Sequence, residues 1–239
     1  MFGQPDGSAG TTRKIFLTQT IDPFGNAVTL TYDGDSRITA LTDAIGQVTS
    51  LSYGDTNDVY KITRITDPFG RFASFSYDSL GRLTNITDVI GLNSTFVYDG
   101  AGDFIKALVT PYGTTSFTQG PAGNTRFLET LYPDGSRDRV EYTQFVSGTG
   151  NTQREASVPS VMTTANAFLS FRNTFYWSRT ACASSYGDYS KAKVYHWLHA
   201  EDPTKTAGIL ESTKEALEGR VWYDYAGQNS QTFVGANNR

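Results

Sequence analysis

The feature of the sequence that most constrains the fold is an internal repeat of about 22 residues. Six glycines that close similar turns are separated by 21, 24, 21, 22 and 22 residues, and the residue seven places after the glycine is a tyrosine in five of the six cases. The glycines are Gly25, Gly46, Gly70, Gly91, Gly113 and Gly135, and the residues seven places later are Tyr32, Tyr53, Tyr77, Tyr98, Gly120 and Tyr142. With 14 tyrosines among 239 residues, chance would almost never produce this agreement. A fixed period of this length predicts a chain built from copies of one supersecondary unit.

Two kinds of turn alternate within each repeat. In the first kind, Asp67-Pro68-Phe69-Gly70, the aspartate, proline and glycine occupy their preferred first, second and fourth positions of a type I turn. The second kind is Asp78-Ser79-Leu80-Gly81 and begins eleven residues later. Further turns of the first kind begin at Asp22, Asp43 and Asp88, and further turns of the second kind lie at 99–102 and at 33–36, where Ser36 replaces the closing glycine. We predict that these aspartates cap the turns through bonds to their own downstream backbone.

The segments between the turns have the pattern of β-strands. Val28–Tyr32 and Phe75–Tyr77 alternate apolar and polar residues, as expected for strands with one covered face. Seven strand residues and four turn residues account for the eleven-residue spacing, so each repeat of about 22 residues is predicted to be one β-hairpin. The 24-residue interval carries a longer turn at 54–60 that leaves the strands in phase. We therefore predict an all-β fold, an antiparallel ribbon of β-hairpin repeats with tyrosines recurring on one face.

The second half of the chain departs from the repeat and then returns to it. Residues 168–177 are dense in aromatics and predict a strand, 178–191 a short helix or a long turn, and 192–199 a strand rather than a helix. Residues 146–165 and 200–219 are interpreted as polar loops, and 222–227 restore the Tyr-Asp-x-x-Gly pattern. The predicted organisation is a lead-in at 1–19, β-hairpin repeats at 20–145, an irregular and partly helical aromatic-rich insertion at 146–219, and a return to the repeat at 220–239.

The motif Tyr77-Asp78-Ser79-Leu80-Gly81-Arg82, followed by Leu-Thr-x-Ile-Thr-Asp at 83–88, resembles the YD repeat of the RHS family. That family includes bacterial polymorphic-toxin proteins, the C component of Tc toxin complexes and the teneurins of animals. The resemblance implies a strip of β-hairpins that spirals into a hollow shell, which encloses a toxic C-terminal polypeptide in bacterial members and supports adhesion in teneurins. It also implies secretion or display at the cell surface. Because such proteins are much longer and close their repeats with a core region not found here, we expect the chain to be a fragment whose main partner is the remainder of a larger RHS polypeptide.

Two functions of different classes follow from these patterns. The first is a structural module of an RHS-type shell that encloses or carries a toxin or effector, and the alternative is a recognition module that binds carbohydrate or a cell-surface protein. We assign no catalytic, cofactor-binding or metal-binding residue, and expect no enzyme activity. The residues assigned structural roles in the turns and tyrosine positions are Asp22, Gly25, Tyr32, Asp43, Gly46, Tyr53, Asp67, Gly70, Tyr77, Asp78, Gly81, Asp88, Gly91, Tyr98, Gly135 and Tyr142.

Other candidate chemistry is weaker than the repeat. Two carboxylates suffice for glycoside hydrolysis, whereas seven aspartates recur here with the turns, so capping is their simplest role. His196 and His199 are the two histidines of the chain and could bind a metal ion together on a helix, but a spacing of three places them on opposite faces of the predicted strand and no Cys or carboxylate cluster completes a site, so we expect no metal role. Cys182 is the single cysteine and lies in no nucleophile motif. The three tryptophans, Trp177, Trp197 and Trp222, are expected in the core or shell lining rather than stacked on sugars.

Charge and hydropathy argue against two classes of partner. The net charge of −4 gives no basic footprint for nucleic acid. Residues 1–20 lack the apolar core of a signal peptide, and no apolar run approaches the roughly 20 residues that span a bilayer. We therefore expect neither nucleic-acid binding nor membrane insertion, and the sequence itself leaves the cellular location open.

Overall fold

The fold was analysed in a computed structural model that describes residues 1–5, 14–120, 125–145, 170–199, 206–216 and 218–225. Their regular secondary structure is almost all antiparallel β-strand, which confirms the predicted all-β fold. The chain divides into two compact units, Met1–Thr114 and Thr115–Arg239. No helix among the described residues is long and apolar enough to cross a membrane.

The first unit is a meander in which strands adjacent in sequence pair side by side. Its first two strands, β1 (Phe2–Pro5) and β2 (Ile15–Leu17), form a separate antiparallel pair. The meander consists of β3 (Gln19–Ile21), β4 (Ala27–Tyr32), β5 (Ile38–Thr42), β6 (Val48–Ser52), β7 (Arg64–Thr66), β8 (Phe72–Tyr77), β9 (Leu83–Thr87), β10 (Asn93–Tyr98) and β11 (Ile105–Thr110). The turns lie where the sequence predicts them, although these strands have three to six residues rather than seven, and the longer turn at 54–60 leaves β6 and β7 paired in register.

The two faces of this meander differ in chemistry because side chains alternate along each strand. One face is apolar and half-buried, with cross-strand pairs such as Leu30 opposite Leu41 and Phe75 opposite Ile86. The other face carries hydroxyl and amide side chains, which pair across β9 and β10, where Asn85 lies opposite Thr95. No described residue of this unit is fully buried, so its apolar face is only partly covered.

The second unit contains seven strands and the helical segment. The strands are β12 (Gly113–Gln119, which begins at the boundary between the units), β13 (Thr125–Leu131), β14 (Arg137–Phe145), β15 (Phe171–Trp177), β16 (Lys193–His199), β17 (Thr206–Lys214) and β18 (Arg220–Trp222), each paired antiparallel with the next. Helix α1 (Arg179–Ser185) and a short 3₁₀ turn (Tyr189–Lys191) connect β15 to β16. Ser178 caps α1, since its hydroxyl accepts a hydrogen bond from the backbone N–H of Ala181.

The fully buried apolar residues of the described chain lie in the second unit. Phe175, Trp177 and Val194 face the helical segment, and Cys182 of α1 packs against them. The ring of Tyr189 meets that of Phe175 edge to face at 4.6 Å between centroids, a favoured aromatic geometry. The indole N–H of Trp177 donates to the carbonyl of Asp188 at 3.0 Å, so this buried donor is satisfied.

The structure tests the sequence interpretation of the irregular region. The strands predicted at 168–177 and 192–199 are β15 and β16, and of the two alternatives for 178–191 the short helix is present. The interpretation of 200–219 as a polar loop was wrong, because β17 occupies Thr206–Lys214. Its polar residues Glu211 and Ser212 are buried, whereas the sequence argument assumed that a covered strand face would be apolar. The loop predicted at 146–165 lies outside the described residues, and the predicted domain boundaries stay a prediction.

Candidate functional site

The turns of the first unit share one hydrogen-bond pattern. In the turn that begins at Asp67, carboxylate Oδ1 accepts from the backbone N–H of Phe69 and of Arg71, each at 2.9 Å. The N–H of Gly70 donates to the carbonyl of Asp67 at 3.1 Å, and Gly70 has a φ of 83°, in the left-handed region that favours glycine. The same carboxylate bonds to the second and fourth following residues recur at Asp22, Asp33, Asp43, Asp78 and Asp88. These six aspartates are therefore occupied as turn caps.

Three turns of the repeat vary this pattern. Ser36 replaces the glycine and still adopts a φ of 63°. The turn that begins at Asp99 is closed between backbone groups, with the N–H of Gly102 donating to the Asp99 carbonyl at 3.2 Å. At the sixth position Gly135 has a φ of 79°, and its N–H donates to the carbonyl of Tyr132. Most of these turns thus have a left-handed backbone at the closing position, whether or not the residue there is glycine.

The repeat tyrosines of the first unit connect neighbouring hairpins. Each phenol hydroxyl donates to the backbone carbonyl of the residue fifteen positions earlier, at 2.7–2.8 Å. The donor and acceptor pairs are Tyr32 and Leu17, Tyr53 and Ile38, Tyr77 and Ile62, and Tyr98 and Leu83. Because the separation stays at fifteen residues on both sides of the longer turn, the bond is part of the repeat and not an accident of one hairpin.

Basic residues complete the repeat, of which the sequence analysis quoted only Arg82, as the last residue of the motif, and assigned it no contact. The guanidinium of Arg82 pairs with Asp78 at 2.7 Å, lies 4.4 Å from the ring centroid of Tyr98, and donates to the carbonyls of Gly100, at 3.0 Å, and Gly102. Arg37 repeats this arrangement with Asp33, the Tyr53 ring and the Val59 carbonyl, and Lys61 lies 5.1 Å from the ring of Tyr77. The signal in the sequence was a basic residue directly after the turns at 33–36, 54–60 and 78–81, whereas Asp103 follows the turn at 99–102.

Ion pairing also fixes the protonation of these turns. Hydrogen bonds from the backbone and side chain of Arg82 lower the pKa of Asp78, and those of Arg37 lower the pKa of Asp33 in the same way. The side-chain bond from Asn26 lowers the pKa of Asp22. The carboxylates of Asp22, Asp33 and Asp78 are therefore held ionised, which suits capping and opposes a role as a general acid at neutral pH.

The missing tyrosine at position 120 has a steric cause. The ring of Phe127 lies directly against Gly120, where an added Cβ would stand 1.8 Å from Cε1 of that ring. The guanidinium of Arg139 covers the same ring at 3.6 Å from its centroid. Phe127 thus fills the space that a side chain at position 120 would need, and its ring replaces the tyrosine ring in the packing of this repeat.

In the second unit, tyrosine hydroxyls fasten the helical segment to the sheet. Tyr189 donates to Oε1 of Glu141 at 2.6 Å, and Arg139 pairs with Oε2 of the same carboxylate at 2.6 Å. Tyr186 likewise donates to Glu129. Burial, together with the bond to Glu141, raises the pKa of Tyr189 to about 12, so this hydroxyl stays protonated and remains a donor. Tyr142, the repeat tyrosine of this unit, bonds the side chain of Gln144 instead of an earlier carbonyl.

A buried polar cluster lies across β15, β16 and β17. His196 is completely buried, with Nδ1 3.0 Å from Oδ1 of Asn173 and Nε2 2.8 Å from Oε2 of Glu211. Arg172, also buried, donates from Nε to the carbonyl of Trp197 at 3.1 Å. Burial lowers the pKa of His196 and outweighs the opposing effect of Glu211, so the imidazole is neutral at pH 7. Because solvent does not reach this cluster, it is suited to holding strands together rather than to turnover.

The other candidate residues are also placed in structural surroundings. Trp177 is buried in the core, and Trp197 is half-buried and donates to the hydroxyl of Thr174 at 2.9 Å. Trp222 is half-buried beneath the guanidinium of Arg220. Cys182 is buried, and burial raises the pKa of its thiol, which disfavours the nucleophilic thiolate. Across the described ranges, no three His, Cys, Asp or Glu side chains are grouped as metal ligands would be.

Three features recur along the first unit: turns capped by aspartates, tyrosine hydroxyls bonded to a backbone carbonyl fifteen residues earlier, and basic side chains that contact the ring of the next tyrosine. Together they define a β-hairpin repeat protein in which each hairpin is bonded to its neighbours. Residues 32–71, 61–89 and 77–115 match the family model described as RHS Repeat. Residues 32–115 therefore carry RHS repeats, which confirms the resemblance inferred from the YD motif, and this part of the chain is a structural repeat module of an RHS protein.

Comparison with solved structures gives a distant similarity. The chain is similar to a structure described as "Crystal Structure of TcdB2-TccC3 without hypervariable C-terminal region", with a TM-score of 0.36 and 11% sequence identity. The match covers 78% of this chain and 10% of that chain, so this chain spans about a tenth of its length. No curated protein matches the chain.

Proposed function

We propose that this repeat module is part of the wall of a hollow RHS-type shell, which encloses or carries a C-terminal toxin or effector polypeptide. The observation that carries the proposal is the difference between the two faces of the first unit. One face presents half-buried Leu30, Leu51, Phe75 and Phe96, and the other presents serine, threonine and asparagine side chains.

A sheet with chemically different faces is suited to separating two environments. An ordinary globular sheet covers its apolar face with a second layer, yet no described residue of the first unit is fully buried. Further polypeptide that covered the apolar face would therefore stabilise the fold by removing apolar surface from water. Meanwhile the bonds of Tyr77 and Arg82 stiffen the strip from hairpin to hairpin, as a wall requires.

Recognition of carbohydrate or of a cell-surface protein remains the alternative. Its specific support was the three tryptophans, and none of them is strongly exposed. Exposed aromatics do exist at turn tips, with Tyr112 82% exposed. Selective binding on a glycan array that Tyr112→Ala abolishes would favour this alternative.

The proposal is tested on the native polypeptide of the source cells. An antibody against residues 20–145 is used to measure its mass and to isolate it, and the isolated protein is treated with protease before and after denaturation. We expect a band several times larger than 26.2 kDa and a segment that is protected only while the wall is folded. A native band of 26.2 kDa, or equal digestion of all segments in both states, would contradict enclosure.

A further inference from the structure

A groove on one face of the second unit combines a single cation with apolar side chains. It crosses β12, β13, β14 and β15 and has a volume of about 270 Å³. Helix α1 packs on the opposite face, because the core residue Phe175 directly follows Thr174 on β15 and therefore faces the other way. Side chains that are neighbours across paired strands line the groove in two rows, which are Gln119, Leu128 and Val140, and Arg126, Tyr142 and Thr174. We call it the Arg126 groove.

Arg126 belongs to the series of basic residues that contact the repeat tyrosines. Its guanidinium lies 5.1 Å from the ring centroid of Tyr142, sixteen residues later, and the three basic residues of the first unit have the same separation from their tyrosines. Each of those three pairs with an aspartate three or four positions earlier, at 2.7–3.8 Å. The corresponding positions before Arg126, 122 and 123, are alanine and glycine. In the described part of the chain no carboxylate pairs with Arg126, so its charge is not neutralised there.

The groove lies where the repeat departs from its own pattern. Gly120, which lines the groove, occupies the position of the missing repeat tyrosine. The hydroxyl of Tyr142 donates to Gln144 at 2.6 Å, whereas the carbonyl fifteen residues earlier, that of Phe127, accepts the N–H of Gly120 at 3.0 Å. A missing tyrosine, a missing aspartate and a redirected hydroxyl thus coincide at one groove. Departures from an otherwise regular pattern are expected at functional sites.

The residues that line the groove define the ligand that it fits. Arg126 is the one charged residue among them, so it matches a ligand with a single negative charge. Its planar guanidinium suits a carboxylate, which it binds through two parallel hydrogen bonds. Leu128 and Val140 lie side by side and are 40% and 38% exposed, so they favour an apolar group next to that carboxylate. A phosphate ion would leave these two side chains in water.

We propose that the Arg126 groove binds an apolar carboxylate, with the carboxylate on Arg126 and an aromatic or aliphatic group over Leu128 and Val140. The volume of the groove is just below the range of about 300–1,000 Å³ that holds drug-sized ligands, so the ligand is small. It is either a free acid or a carboxylate presented by a polypeptide. Binding here does not depend on enclosure by a shell, because every residue of the groove lies in the second unit.

Titration of the 239-residue chain with N-acetylphenylalanine, followed by NMR, tests the site. We expect a Kd on the order of 1 mM, as suits a small ligand in an open groove, with shifts at the backbone amides of Leu128, Val140 and Tyr142. N-acetylphenylalanine amide has the same ring but no charge, and it should bind at least tenfold more weakly.

Two variants remove the charge of the groove in different ways. Arg126→Gln deletes the cation, and Gln119→Glu places a carboxylate beside it. Both should weaken binding of N-acetylphenylalanine at least tenfold with an unchanged circular dichroism spectrum. The matched control is Arg179→Gln. Arg179 also lies over a tyrosine ring, 3.5 Å from its centroid, but it pairs with Asp134 and does not line the groove, so this variant should bind like the wild type.

A further probe identifies the source of the carboxylate. The blocked dipeptide acetyl-Glu-Phe-amide carries its one carboxylate on a side chain. Binding at least as tight as that of N-acetylphenylalanine would assign the groove to an internal segment of a polypeptide, and weaker binding would assign it to a free acid or a chain terminus. The proposal is overturned if neither probe binds, if inorganic phosphate binds as tightly as N-acetylphenylalanine, or if Arg126→Gln leaves binding unchanged.

Discussion

The guanidinium of Arg82 lies 4.4 Å from the ring centroid of Tyr98, the tyrosine of the next repeat. The same group is held by Asp78 of its own turn and donates to the backbone carbonyl of Gly100 in the following turn. One side chain therefore connects a turn, a ring and a backbone segment that belong to successive hairpins. In such a repeat, stability is approximately the sum of the contributions of each unit and of its contacts with its nearest neighbours.

Removal of this clamp should destabilise the first unit measurably. We expect Arg82→Ala to lower the free energy of unfolding by about 1–3 kcal/mol, because charge-assisted bonds and ring stacking are lost at a side chain that is 15% exposed. Arg71→Ala is the control: Arg71 pairs with Asp67 and lies near Phe69 within its own turn, is 62% exposed, and should change stability by about 0.5 kcal/mol or less. Urea denaturation followed by circular dichroism measures both, and equal effects would contradict the clamp.

The tyrosine hydroxyl should contribute separately from the ring. Tyr77→Phe retains the ring and removes the donor to the Ile62 carbonyl, so we expect a loss of about 0.5–1.5 kcal/mol of unfolding free energy. Tyr112→Phe removes a hydroxyl from a side chain that is 82% exposed and should have almost no effect. Thermal unfolding of the two variants provides the comparison. If Tyr77→Phe left the free energy of unfolding unchanged, the hydrogen bond to Ile62 would be no stronger than the bonds to water that the hydroxyl makes in the unfolded chain.

The turn that lacks its glycine offers a stabilising substitution. Ser36 has a φ of 63°, which is strained for a residue with a Cβ, so Ser36→Gly should raise the free energy of unfolding by about 0.5–1 kcal/mol. The reverse change, Gly70→Ala, meets open space but requires a φ of 83°, and should lower stability by about 1 kcal/mol. Opposite signs in urea denaturation are the expected result, and a destabilising Ser36→Gly would mean that the serine side chain compensates for its strain.

Much of the fold followed from the sequence because a hairpin repeat is local. The type I turn at Asp67–Gly70 is specified by residues within four positions of one another. Each strand pairs with the next strand in the sequence, so the repeat period alone is enough to predict which strands pair. The tyrosine period also indicated a contact that recurs once per hairpin. Its acceptor, a backbone carbonyl fifteen residues earlier, could not be deduced, since every carbonyl has the same chemistry.

The features that escaped the sequence argument depend on distant or polar partners. Arg37 reaches the carbonyl of Val59, 22 residues away, and nothing in its own turn specifies that distance. Strand β17 was missed because buried Glu211 and Ser212 lack the apolar signature of a covered strand, and their partner His196 lies on another strand. The glycine at 120 was visible as an exception, but its cause, the ring of Phe127, is seven residues away.

That exception leads to a test by double substitution. Gly120→Ala would place a Cβ 1.8 Å from the Phe127 ring, which must then move from its position beneath Arg139. We expect a loss of about 1–3 kcal/mol of unfolding free energy, typical of overpacking. In the background of Phe127→Ala the same substitution should have a much smaller effect. Additive effects in a double-mutant cycle measured by urea denaturation would contradict direct contact.

The buried histidine predicts a dependence of stability on pH. Burial lowers the pKa of His196 in the folded protein below the ordinary 6.5, despite Glu211, while Arg172 and Arg220 on neighbouring strands act in the same direction as burial. The unfolded chain therefore binds a proton more readily, so stability is fully present above pH 6.5 and is lost as pH falls below it. We expect a loss of about 1 kcal/mol between pH 7.5 and pH 5.5.

Two measurements separate this cause from the turn carboxylates. The lowered pKa values of Asp33 and Asp78 lie below their ordinary 3.8, so these groups do not titrate between pH 7.5 and 5.5. The variant His196→Gln should unfold with nearly equal free energy at both pH values. If that variant does not fold, the wild type still gives an answer, because with two histidines in the chain the NMR signal of His196 can be followed directly, and its titration midpoint should lie below the ordinary 6.5. A His196 signal that titrates with a midpoint near 6.5 would contradict the neutral, buried imidazole.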